Sequence, residues 1–209
     1  MRRQCGSKQT AVSTVENRSP EILTGTKTLE IFNHEYSIAA PVSERLETAI
    51  RRIEFVRKYT MTLLDDLEPA DWFWMPEGFK THIAWQVGHI AMSEYGLTLY
   101  QQRGRNREVD AELMSSKFRK LFMRGTTPSE DIENHPSPEE ILSVLDKVHQ
   151  QMRIEIVTYD GDVLDEPLGP PTSSYATRYG ALLFAGDHEM LHAGQIGMLR
   201  RLMGKDPLR

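Results

Sequence analysis

Four stretches of this chain carry apolar residues at every third or fourth position, and no segment makes a convincing case for the two-residue period of a strand, so the chain is confined to a fold of packed helices. In the first, Leu46, Ile50, Ile53, Leu64 and Leu67 sit among Arg, Glu and Lys, and Glu68-Pro69 closes the segment, which predicts a helix over about 43–67. A loop with Trp72, Phe73, Trp74 and the turn Pro76-Glu77-Gly78 leads to a second helix from about Thr81 to Gln102, ending before Gly104. The third is announced by Ser137-Pro138-Glu139-Glu140, a Ser N-cap with Pro at the first helical position and a Glu completing a capping box; Ile141, Leu145, Val148 and Met152 then line one face. Pro167, Gly169, Pro170 and Pro171 forbid helix before the fourth, which runs from near Ser174 to Gly204 with Arg200 and Arg201 opposing the negative end of its dipole. Residues 104–136 are charged and polar, with one short helix around Ala111–Met123. The expected architecture is all-α: an antiparallel-type four-helix bundle with a long crossover connection through 104–136.

That bundle accounts for residues 42–209. Residues 1–20 are rich in Ser, Thr, Gln, Asn and charge and read as a disordered tail. In 21–41 the apolar residues Leu29, Ile31, Phe32, Tyr36 and Ile38 fit strand and helix equally, and the segment is left as an N-terminal arm. The 209 residues carry a formal net charge of -5, which supplies no basic field for nucleic acid. No apolar run is long enough to span a bilayer, and no apolar segment follows Met1-Arg2-Arg3 as a signal peptide would require; the expectation is a soluble, cytoplasmic protein without membrane partners. The single cysteine, Cys5, lies in the polar tail and reads as incidental.

The chemistry concentrates in His188-Glu189-Met190-Leu191-His192, where two imidazoles stand one turn apart on one helical face. Following that helix by threes and fours gives Ala181, Ala185, His188, His192, Ile196, Leu199 and Met203; the same walk on the second helix gives His82, Trp85, His89, Met92, Gly96 and Leu99. Both helices therefore aim imidazoles at the interior. Burying three without partners would cost about 1–3 kcal/mol for each unsatisfied nitrogen, whereas one metal satisfies a nitrogen of each ring together. Three protein ligands with a vacant position describe a catalytic site rather than a closed structural one. Taken singly, His34, His82, His135 and His149 read as core histidines bonded to a carbonyl or water. Gly88, Gly186, Gly194 and Gly197, each costly inside a helix, mark close helix approach or room for a ligand, with helix kinks as the plainer alternative. Tyr95 and Tyr100 read as packing residues.

The motif His188-Glu189-x-x-His192 also matches the metalloprotease signature, but such enzymes take a third ligand downstream, and the 17 residues after His192 contain neither His nor Glu. A di-iron bundle needs two Glu-x-x-His pairs, and Glu189-Met190-Leu191-His192 is the only one on a long helix.

Trp85-Gln86-Val87-Gly88-His89-Ile90 on the second helix, His188-x3-His192-Ala193-Gly194-Gln195-Ile196 and then Leu199-Arg200-Arg201-Leu202-Met203-Gly204 on the fourth, and Trp72 in the preceding loop, together resemble the DinB/YfiT-like superfamily of metal-binding four-helix proteins over about residues 43–206. The resemblance implies a divalent metal ion held by His89, His188 and His192, commonly in a homodimer, and activities among thiol-dependent S-transferases and isomerases that use low-molecular-weight thiols. Zinc or nickel suits imidazole ligands. The expected function is a metal-dependent thiol transferase or hydrolase acting on a small-molecule substrate. Gln86, Glu189 and Gln195 are candidates for orienting ligands or moving protons. The alternative is a non-enzymatic metal or small-molecule binding protein of the stress response using the same cavity.

Overall fold

A computed structural model describes residues 43–129, 132–159, 161–169 and 174–208, so the expected tail and arm lie outside the described residues. Each long helix starts where a residue in extended backbone offers its side chain to an otherwise unpaired N–H of the first turn. Ser43 accepts from the Leu46 amide at 3.4 Å and opens α1, Glu44–Leu64. His82 does the same through Nδ1, accepting from the Trp85 amide at 3.1 Å, and opens α2 at Ile83. Two short helices follow, α3 (Arg107–Leu113) and α4 (Ser116–Phe122). The capping box predicted at Ser137 and Glu140 is formed and opens α5, Pro138–Ile156. Thr177 accepts from the Gly180 amide at 3.1 Å and opens α6, Arg178–Leu202.

These caps correct several expected boundaries. The last helix begins after Thr177 rather than at Ser174, and α1 ends at Leu64 rather than Leu67. The crossover holds two short helices where one was expected around Ala111–Met123, because Ser115 turns extended and its hydroxyl accepts from the Phe118 amide to start α4 afresh. The second helix carries a feature its periodicity does not announce: Ile83–Glu94 continues through a π-helical stretch, Tyr95–Tyr100, into a last turn, Gln101–Arg103. There the Thr98 hydroxyl donates back to the Glu94 carbonyl at 2.8 Å, and Gln102 Nε2 donates to the Leu97 carbonyl at 2.9 Å; both loosen the normal ladder while keeping its carbonyls paired.

The four long helices make the bundle. α6 packs against both α1 and α2, and α5 lies along α2 and touches α1. The expected stripes face inward: Ile53, Ile90, Ile141, Leu145, Ile196 and Leu199 are at most 2% exposed. Arg200 and Arg201 stand in the last turn of α6, as expected, and Arg200 has a further role. It is buried, donates to the Leu63 carbonyl at the end of α1 and pairs with Asp66, so it ties α6 to the C-terminus of a neighbour. Among the described residues there is no strand, and no helix is long and apolar enough to cross a membrane.

A buried ionic belt joins all four helices. From α1, Arg57 donates to both oxygens of Glu189 on α6 at 2.9 and 3.0 Å and to Glu94 on α2 at 2.7 Å. Glu94 in turn meets His149 Nδ1 on α5 at 2.7 Å, and His149 Nε2 lies 3.2 Å from Glu54, which Arg153 also binds. Burial would push the His149 imidazole down, but hydrogen bonds to Glu54 and Glu94 outweigh it and hold the pKa up at about 9. Since this lies above the ordinary 6.5, charged His149 contributes stability that is complete below pH 6.5 and lost as pH rises through about 9. The denaturation midpoint of the wild-type chain is therefore expected to fall across that window, and His149→Gln should flatten the slope; an equal slope in both proteins would assign the loss to other groups.

Candidate metal centre

Three side chains meet between α2 and α6: His89 and His192 are buried and His188 is half-buried. Each offers a ring nitrogen, and the three ligand atoms lie within 4.8 Å of one another. The Nε2 atoms of His188 and His192 are 3.3 Å apart, about the separation of two nitrogens across a tetrahedral ion with metal–nitrogen bonds of about 2.0–2.1 Å.

The neighbours of His89 and His192 settle which nitrogen of each faces the cluster. His89 Nδ1 donates to the Phe122 carbonyl at 2.6 Å, leaving Nε2 with its lone pair free. His192 Nδ1 donates to Gln86 Oε1, and that amide is itself oriented because its nitrogen donates to the Thr81 hydroxyl at 2.7 Å. His188 is placed by ring packing, with Phe184 edge-on at 5.6 Å and His89 at 5.2 Å between centroids. Trp85 stacks on His89 with the planes 6° apart and centroids 4.8 Å apart, and its indole N–H is anchored on Thr126. Two of the three imidazoles are thus locked in the tautomer a metal needs by partners outside the cluster.

Electrostatics agrees with that use. Burial lowers His89; burial and the neighbouring His89 bring His188 to about 4; burial and both other rings bring His192 to about 3. All three rings are therefore held neutral at pH 7, so no imidazolium charge opposes a cation. The donor set is three neutral nitrogens converging from two helices, and it fits a borderline divalent ion.

The other residues singled out by sequence fall on different sides of the fold. Gln86 touches the cluster directly. Glu189 does not: both its oxygens are bonded to Arg57 in the ionic belt, so the Glu of the protease-like motif is withdrawn from the imidazoles that flank it in sequence. Gln195 is exposed. His82 is buried as the N-cap of α2, brought to about 4 by burial and then by His135; His135 donates from Nε2 to the Ser129 carbonyl, 3.0 Å away. Neither joins the cluster. A groove of about 320 Å³ beside α4 and α5, lined by Met114, Phe118, Pro136 and Val144, contains none of the three ligand histidines.

Sequence pattern missed the role of Phe122, whose carbonyl orients His89 from the crossover. A signal for it existed in Gly88. A methyl group there would overlap the Phe122 ring, so the glycine lets α4 press its last residue onto α2 beside His89. Gly186 serves a similar close approach to Arg52 of α1, while Gly194 faces open space. Gly88→Ala is expected to destabilise the fold by about 1–3 kcal/mol through overpacking and to weaken metal binding as Phe122 shifts off His89. Denaturant titration and zinc affinity read the two effects; unchanged zinc affinity would show that the carbonyl contact does not hold the ligand.

A helical bundle with a three-histidine centre built from its second and last long helices defines a known class of proteins. The chain belongs to the DinB superfamily, whose family profile matches residues 52–196. No curated protein matches it. Among solved structures, the crystal structure of the conserved protein of locus from Enterococcus faecalis is similar in fold, with a TM-score of 0.53 and 17% sequence identity over 76% of this chain and 97% of that one.

Proposed function

We propose that this protein is a metal-dependent enzyme, a thiol-dependent transferase or hydrolase, whose centre is His89, His188 and His192 with zinc or nickel as the ion. The observation that carries this reading is the convergence of three neutral imidazoles, two of which, His89 and His192, have their outer nitrogens held by Phe122 and Gln86. An ion bound there would supply Lewis acidity, lowering the pKa of a water or thiol beside it. The chain's own residues do the rest. His89 and His192 hold their nitrogens in place without titrating. Trp85 and Phe184 cover flanks of the cluster and keep its dielectric low, which strengthens every charge interaction inside. The half-buried His188 marks the side from which a small molecule can enter. Arg57 keeps the Glu189 carboxylate engaged, so no carboxylate of this motif competes for the ion.

The thiol reading fits a reducing compartment and so the cytoplasm, where low-molecular-weight thiols stay reduced. It also takes the working unit as a homodimer. α6 leaves Leu191, Met198 and Leu202 exposed on one face, an apolar stripe that a second copy would cover. Light scattering should then read twice the chain mass. The activity test loads the chain with zinc or nickel and follows loss of free thiol from 2-mercaptoethanol or cysteine with an electrophile, and separately ester hydrolysis. Turnover that disappears in His192→Ala is expected; stoichiometric metal with neither activity would favour the non-enzymatic binding protein.

A further inference from the structure

We propose that the Ser93 hydroxyl hydrogen-bonds the exogenous thiol or water taken up at the three-histidine centre, an inference that rests on the function proposed above. Ser93 lies one turn after His89 on α2 and, like His188, is half-buried. Its Oγ is 3.3 Å from His89 Nε2, the atom that faces the cluster. Because His89 Nδ1 donates to the Phe122 carbonyl, Nε2 carries a lone pair and the Ser93 O–H is the donor.

This is not the usual behaviour of a hydroxyl inside a helix, which donates back to the carbonyl four residues earlier. Thr98, further along the same helix, does so at 2.8 Å, whereas Ser93 directs its proton at an imidazole nitrogen. Were His89 Nε2 to hold a cation, the Ser93 hydroxyl would lose this acceptor while its oxygen stayed beside the cluster. The nearby polar groups are already engaged: Gln86 with Thr81 and His192, Thr126 with Trp85 and two carbonyls, Glu189 with Arg57. Ser93 is thus left with a proton to donate and a position beside the cluster, and a thiolate or water entering there is the acceptor it meets. The contact would favour small, anionic sulfur or oxygen groups over neutral ones.

The test uses the full chain loaded with cobalt(II), whose visible absorption reports both metal uptake and thiolate binding, titrated with 2-mercaptoethanol in wild type, Ser93→Ala and Ser93→Thr. Alanine is the better helix former, so Ser93→Ala retains the fold. The expected result is cobalt affinity within about threefold of wild type in all three proteins, thiol binding about tenfold weaker in Ser93→Ala, and recovery in Ser93→Thr, as the loss of one hydrogen bond to a charged group implies. Thiol affinity in Ser93→Ala equal to wild type would overturn the proposal, and so would a parallel loss of cobalt affinity, which would make Ser93 a support for the metal instead. A wild-type chain that takes up no cobalt would overturn the proposed function itself.

Discussion

Purified without chelator, the wild-type chain is expected to carry close to one equivalent of zinc or nickel, and His89→Ala and His192→Ala are each expected to bring the metal to background while the helical content stays unchanged. Each ligand supplies one of only three protein donors, so its loss should exceed the roughly 10–100-fold drop in affinity that follows removal of an orienting partner. Gln86→Leu provides that intermediate step: it leaves all three ligands but frees the His192 ring. Elemental mass spectrometry on the three variants therefore predicts a graded series. Wild-type protein that remains metal-free after reconstitution, though folded, would reduce the three imidazoles to core residues and remove the basis for the enzyme reading. The fold should survive the ligand variants because neither ring is part of the apolar core, and each alanine removes a buried polar ring rather than creating an unpaired charge.

Arg57→Met should produce the largest loss of stability of any single change in the bundle. Arg57 is 7% exposed and its guanidinium faces Glu94 and Glu189, themselves 4% and 3% exposed. Burial penalises the Glu94 carboxylate, but Arg57 and then His149 hold it below the usual carboxylate range. Without Arg57 the two carboxylates stay buried with only part of their compensation, and breaking a buried pair in this way costs about 3–5 kcal/mol. The variant Arg57→Met/Glu94→Gln/Glu189→Gln removes the uncompensated charges and should be less destabilised than Arg57→Met alone. Denaturant midpoints rank the three proteins. A triple variant as unstable as the single one would mean that Arg57 acts by packing its stem between the helices rather than by balancing charge.

Gly88 and Glu189 show how unevenly a one-dimensional pattern reports on a site. The spacing of His188, His192 and His89 on two inward stripes was sufficient to put all three imidazoles in one place, because helical periodicity is rigid and two stripes that must be buried have little choice but to face each other. The same periodicity left Glu189 ambiguous, one position off the ligand face. Its partner, Arg57, is 132 residues away in the chain, and nothing local records the pairing. Phe122 is harder still, since what matters is its carbonyl, which every residue has. Only the crowding at Gly88 betrays it, and a glycine inside a helix has several explanations until the neighbour that fills the space is known.

The π-helical stretch follows the same division. Tyr95-Gly96-Leu97-Thr98-Leu99-Tyr100 continues the helical pattern well enough to extend the helix, yet the change of winding depends on Thr98, Gln102 and the Tyr159 hydroxyl, which donates to the Thr98 carbonyl at 2.8 Å from beyond α5. Local caps, by contrast, were legible at Ser137 and were missed at His82 and Thr177, where the capping side chain either is an uncommon one or sits a few residues after a more obvious serine.

Short-range periodicity and the cost of burying imidazole without a partner were enough to settle the helical class, the four inward stripes and the convergence of His89, His188 and His192. Packing of the helices against one another was needed to fix which nitrogen of His89 and of His192 faces the centre, to draw Glu189 into the ionic belt and to turn the Ser93 proton toward His89. Those are outcomes of contacts between helices, in which hydrogen bonds and ion pairs choose among side-chain directions that the chain's local pattern leaves equivalent.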